Sequence, residues 1–89
     1  MRVMHKPGKF YIETEHGEAE LLYAIDASKK TMSMFHTFVP DAERGKGIAE
    51  ILAREAFKFA IKEGLKVSPD CDYIKHFIGK HAEFNEHSV

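Results

Sequence analysis

Two short stretches hold the residue types that do chemistry. Arg44-Gly45-Lys46-Gly47 crowds two cations and two glycines ahead of a long amphipathic run. Ser68-Pro69-Asp70-Cys71-Asp72-Tyr73 carries the only cysteine of the 89 residues, two positions before a tyrosine. A helix N-terminus presents unpaired N–H groups and a partial positive charge. Glycines allow a ligand close to that backbone, at a cost of roughly 1 kcal/mol each inside a helix. With Arg44 and Lys46 alongside, the first stretch suits an anion, best a phosphate or pyrophosphate. In the second, Ser68 as cap and Pro69 at the first helical position predict a helix that puts Cys71 in its first turn. First-turn donors favour a thiolate, and the carboxylates of Asp70 and Asp72 oppose it. By residue type alone, a lone cysteine is equally a small apolar core residue.

These stretches need elements to hold them. Residues 9–15 (KFYIETE) and 18–26 (EAELLYAID) read as strands joined at His16-Gly17 into a hairpin. Residues 31–39 (TMSMFHTFV) read as a third strand, with Met32, Met34, His36 and Phe38 alternating against Ser33, Phe35, Thr37 and Val39. Pro40 ends it. A long helix is predicted over about residues 45–63, with Ile48, Ile51, Leu52, Ala56, Phe59 and Ala60 on one face and Gly64 as its left-handed cap. LKVS, residues 65–68, reads as a short strand, and a helix between two strands implies parallel pairing of those strands. A second helix is expected over about residues 69–80. Residues 1–8 read as a loose lead-in and 81–89 as a frayed polar tail that Phe84 could tack down. The expected class is α+β, β-β-β-α-β-α, in one domain over 1–89.

Composition sets limits. The chain is 44% hydrophobic and 30% charged with a net charge of −1. That is ordinary globular material, and it argues against a dedicated nucleic-acid binder. No apolar run is long enough to span a membrane. MRVMHKPGKF lacks the apolar core of a signal peptide. A cytoplasmic location is expected. One cysteine forms no intramolecular disulfide.

The basic loop discriminates between phosphate motifs. A Walker loop needs G-x-x-x-x-G-K-[ST], and both the spacing and the hydroxyl are missing. A dinucleotide fingerprint needs a third glycine where Glu50 stands. R-G-K-G-I-A instead resembles the [QR]-x-x-G-x-[GA] pyrophosphate loop of the GNAT superfamily of N-acetyltransferases, with Arg44, Gly47 and Ala49 at the defining positions. Over nearly its whole length the chain is similar to a minimal subgroup of that superfamily. The matching marks are T-F-V at 37–39, G-K-G-I-A at 45–49 and V-S-P-D-C-D-Y at 67–73.

The resemblance implies a truncated GNAT-like fold with a mostly antiparallel sheet. It implies acetyl-coenzyme A as co-substrate, its pyrophosphate gripped by Arg44, Gly45, Lys46, Gly47, Ile48 and Ala49. The strand of residues 35–39 would run beside the pantetheine arm, with backbone N–H near Phe38 or Val39 polarising the thioester carbonyl. The subgroup's catalytic cysteine falls on Cys71, and Tyr73 falls where a tyrosine protonates the departing thiolate. Transfer would pass through a Cys71 thioester or go directly to an amine.

Other residues are weaker candidates. Lys75 and His76, one turn beyond Cys71, would touch the coenzyme's phosphates or simply face solvent. His36 is a weak general-base candidate and more simply a sheet-surface histidine. Six histidines do not make a metal site, because His76 and His81 are five apart rather than four and no second ligand cluster is present. Glu13, Glu15, Glu18 and Glu20 form an acidic hairpin end that would attract a basic amine or be merely solvated. Three function classes follow: an N-acetyltransferase acting on a small-molecule or protein amine, a module that binds coenzyme A without efficient transfer, and an interaction domain that uses its sheet edge.

Overall fold

Alternation of apolar and polar residues sets a five-stranded sheet. The computed structural model describes residues 1–89. Its strands are β1 (Met4–Lys6), β2 (Lys9–Thr14), β3 (Gly17–Asp26), β4 (Thr31–Phe38) and β5 (Lys66–Pro69), adjacent in chain order. The first four pair antiparallel, and β5 joins β4 in parallel. Helix α1 (Ile48–Lys62) makes the crossover that parallel pairing needs. Helix α2 (Asp72–Lys80) follows β5, and 3-10 turns occupy Asp41–Glu43 and Ala82–His87. The architecture is α+β, a mostly antiparallel sheet with two helices packed on it, as a truncated GNAT-like fold requires.

Phe10, Ile12, Ala19, Leu21, Tyr23, Met32, Met34 and Val67 line one face of the sheet. They bury Ile48, Leu52, Ala53, Ala56, Phe57 and Ala60 from α1 and Ile74 and Phe77 from α2. Burial of each large side chain contributes about 1.5–3 kcal/mol. Three small alanines on α1 let the helix sit close to the strands. The opposite face carries Tyr11, Leu22 and Phe38 among charged residues. There Lys9 pairs with Glu18 and Glu20, and His36 lies 3.3 Å from Glu20. The acidic hairpin is therefore partly neutralised by its own neighbours.

Several elements differ from expectation for local reasons. Residues 4–6 are not a loose lead-in but an edge strand. His5 stacks on Phe10 at 3.9 Å and its Nε2 lies 2.6 Å from the Tyr23 hydroxyl, which ties β1 to the sheet. Helix α1 begins at Ile48, because Gly45 and Gly47 have φ of 84° and 80° and stand outside it. Helix α2 begins at Asp72 rather than at Pro69. Pro69 continues β5 opposite Met34, the Ser68 hydroxyl donates to Asp70 instead of capping, and Cys71 is the extended residue before the helix. The end of the chain is not frayed. Val89 N–H donates to Val67 O at 2.9 Å, Ser88 bridges to Val67 on the outer edge of β5, and Phe84 packs on Phe57 and Phe77.

The strict alternation expected along β4 also breaks. Leu22 faces His36, but the next residue, Tyr23, faces Met34, so Phe35 has no partner on β3. This one-residue bulge reverses the phase of the strand. Beyond it Thr37, paired with buried Leu21, turns to the helix side, while His36 and Phe38 point away.

Candidate active site

Strands β4 and β5 run together only as far as the Asp70 N–H, which donates to Met34 O at 3.0 Å. Past that point residues 36–38 keep their partner on β3 alone, leaving a free edge toward the start of α2. Across this gap Thr37 Oγ1 lies 3.5 Å from Cys71 Sγ. Cys71 is partly buried and has extended backbone, with φ −140° and ψ 137°. Its carbonyl accepts from the N–H of Lys75, so the thiol sits where α2 starts, not one turn inside it.

The Asp70 carboxylate is engaged elsewhere. One of its oxygens accepts from the hydroxyls of Ser33 and Ser68, both at 2.7 Å, and these bonds hold its carboxyl below the usual range. Lys75 is exposed, and its charge acts on Asp70, further lowering that group.

A cavity of about 360 Å³ opens beside the gap, between residues 39–50 and one side of α2. Its size falls in the range of small-ligand pockets, about 300–1,000 Å³. Val39, Arg44, Gly45, Gly47, Ile48, Ala49, Tyr73 and His76 line it, so eight of the expected site residues meet there. Phe38, Lys46, Lys75 and Cys71 are not in the lining. Phe38 is exposed on the other face, and Lys46 reaches back 3.0 Å to Glu43.

The loop fits a bulky anion. Gly47 is the residue before α1 and offers no side-chain cap. The first N–H groups of the helix are therefore open for an external acceptor. A Cβ at Gly45 or Gly47 would meet nothing within 4 Å, so both glycines border open space. Their left-handed φ is itself costly for any other residue. Arg44 lies loosely over the rim, 3.4 Å from Val39 O and 3.3 Å from Asp41.

Three further lining residues, Glu43, Glu50 and Lys80, were not anticipated. Each of the two acids is paired, which offsets part of its repulsion of an anion. Glu43 is held below the usual range by His16 and Lys46, and Glu50 by Arg54 at 3.2 Å. Lys80 and His76 lie one turn apart on α2 and enter no ion pair. Their i, i+4 spacing was the available signal for Lys80. The lining cations left without a strong partner are thus Arg44 and Lys80. Burial pushes the Tyr73 phenol up, the Glu50 charge adds to this, and Arg54 opposes it.

A sequence model of the GCN5-related N-acetyltransferase family matches residues 9–87. The chain belongs to this family. Its curated relatives include Protein NATD1 of Xenopus tropicalis, 46% identical over 63 residues, which cover 71% of this chain and 57% of that protein. Protein NATD1 of Danio rerio is 44% identical over 63 residues, 71% of this chain and 56% of its own. The Homo sapiens protein of that name is 43% identical over 63 residues, with 71% and 55% covered. The match spans little more than half the length of these relatives. The family assignment agrees with the α+β fold, a mostly antiparallel sheet with two helices packed on it.

Proposed function

We propose that this chain transfers an acetyl group from acetyl-coenzyme A to an amine. One observation carries the reading: the parting of β4 and β5 brings the free strand edge, Cys71, Tyr73 and the glycine loop to one side of the molecule. The pyrophosphate would lie on the N–H groups of Ile48, Ala49 and Glu50, with Arg44 above it and Gly45 and Gly47 allowing close approach. Lys80 would offer charge, and His76 a ring N–H, to a further phosphate. The pantetheine arm would follow Val39 and Phe38 along the free edge, which puts the thioester near Thr37 and Cys71.

Two routes use these residues. In the first, the Cys71 thiol loses its proton to solvent or a base, and its sulfur attacks the thioester carbonyl. The C–S bond to coenzyme A breaks, and coenzyme A leaves as a thiolate. The acceptor amine then attacks the acetyl-cysteine, loses a proton, and restores the Cys71 thiolate. In the second, the amine attacks the thioester carbonyl directly and loses its proton to a base or solvent, the C–S bond breaks, and Tyr73 gives its proton to the departing thiolate and regains one from solvent. The acceptor is a small molecule, a lysine side chain or a protein N-terminus. No helix is long and apolar enough to cross a membrane, and a cytoplasmic setting, where acetyl-coenzyme A is at hand, suits this chemistry.

A second reading, a coenzyme A binder without efficient transfer, is favoured by one feature. Cys71, the candidate nucleophile, does not line the cavity that Arg44, Gly45 and Gly47 border. Calorimetric titration with acetyl-coenzyme A and coenzyme A, using wild type, Gly47→Ala and Gly47→Glu, tests the shared binding step. Binding should weaken in Gly47→Ala and vanish in Gly47→Glu. Binding without acetyl transfer to any of a panel of amines selects the second reading. A folded wild type that binds neither ligand defeats both.

A further inference from the structure

We propose that His16, on the turn between β2 and β3, is a positioning residue for the diphosphate loop and acts through Glu43. The inference rests on the reading of that loop as the coenzyme's phosphate site. Glu43 is the only buried charged residue, 6% exposed. A carboxylate in that position is costly unless its oxygens are bonded. Here each oxygen has its own partner. His16 donates through Nδ1 to Oε2 at 2.6 Å, and Lys46 Nζ donates to Oε1 at 3.0 Å.

The loop depends on that carboxylate. None of the N–H groups of Gly45, Lys46 and Gly47 bonds to another backbone group. Both glycines have left-handed backbone, a conformation with no side-chain packing to hold it. Glu43 therefore grips the segment twice, once through its own main chain in the preceding 3-10 turn and once through the ammonium of Lys46. His16 fixes Glu43 from a different part of the chain, 27 residues away. The same hairpin turn lies near the loop entry, where a Cβ added at Gly17 would come within 3.6 Å of Pro40 Cγ. His16 is half exposed and does not line the cavity. Its influence on a ligand runs through preorganisation of residues 44–50, which spares the ordering cost at binding.

Three variants and two readouts test this. His16→Ala removes the donor, His16→Asn keeps a donor near the Nδ1 position, and Glu43→Gln keeps the shape without the charge. Calorimetry compares coenzyme A with pantetheine, which lacks the diphosphate. Hydrogen exchange of the amides of residues 45–50 is followed without ligand. His16→Ala should weaken coenzyme A binding about tenfold, as expected for loss of a charge-assisted bond. It should leave the pantetheine response unchanged and speed loop exchange, His16→Asn should restore both, and Glu43→Gln should resemble His16→Ala. Unchanged loop exchange in His16→Ala, or faster exchange with coenzyme A affinity unchanged, overturns the assignment. So does an equal loss for coenzyme A and pantetheine, which marks general destabilisation. A wild type that binds no coenzyme A overturns the phosphate-site reading instead, while the exchange measurement still decides whether His16 orders the loop.

Discussion

Thr37 Oγ1 and Cys71 Sγ stand 3.5 Å apart, one near the end of β4 and one at the start of α2, where β4 and β5 have parted. The pair gives a direct test of the covalent route. If the thiol carries the acetyl group, Cys71→Ala should lower kcat by about a hundredfold or more. Brief exposure of the wild type to acetyl-coenzyme A should leave an acetyl group on the Cys71 peptide in a mass spectrum. Thr37→Val, nearly the same shape without the hydroxyl, should lower kcat by about tenfold while the fold persists. Near wild-type rates in Cys71→Ala would leave direct transfer as the mechanism.

Tyr73 makes the complementary prediction. Burial raises its phenol above the usual range, so the proton stays on oxygen throughout neutral pH and is available to a leaving thiolate. Under direct transfer, Tyr73→Phe should lower kcat roughly a hundredfold with little change in the KM for acetyl-coenzyme A. The wild-type rate should hold up to and beyond the ordinary phenol range near pH 10. Steady-state kinetics over a pH series checks both points.

Acid should unfold the protein through a few identified carboxylates. His16 and Lys46 lower Glu43, Arg54 lowers Glu50, and the hydroxyls of Ser33 and Ser68 lower Asp70. In each case the folded-state value lies below the unfolded one. The stability these groups add is complete above the unfolded carboxylate range of about pH 4 and is lost as pH falls through the lower folded values. Tm should be flat from neutral pH to about pH 5 and fall below about pH 4. Glu43→Gln should melt lower at neutral pH and show a shallower acid fall. Differential scanning calorimetry across that range reads both.

The C-terminal turn should contribute measurable stability. The Phe84 ring lies 4.8 Å from Phe57 and 5.2 Å from Phe77. Phe84 is half-buried, so Phe84→Ala should cost about 2 kcal/mol, less than the roughly 3–5 kcal/mol expected at fully buried Phe57. Urea unfolding of the two variants measures the difference. An unchanged midpoint for Phe84→Ala would mean that the turn does not brace the core.

Local pattern made much of this legible. Hydrophobic alternation located β2, β3 and β4, helical spacing located α1, and the glycines marked the loop that enters it. What escaped the sequence depends on partners far along the chain. The edge strand β1 is three mostly polar residues, stable because His5 meets Phe10 and Tyr23. The start of α2 shifted because Pro69 and Asp70 have a parallel neighbour in Met34, which outweighs a good local helix signal. Glu43 reads as a solvated acid until His16 is brought beside it. The bulge at Phe35 leaves no trace in composition, since every residue from Thr31 to Phe38 suits a strand.

That bulge gives the length of β4 a meaning of its own. Its first half is a wall of the core and its second half is an open edge, and one surplus residue separates the two roles. Without the bulge, regular pairing of the same sequence would turn Thr37 away from Cys71 and send His36 and Phe38 inward; deleting Phe35 would join Met34 to His36 and keep Thr37 on the helix side. At this strand the one unpaired residue decides which side chains the cleft receives, whatever their types.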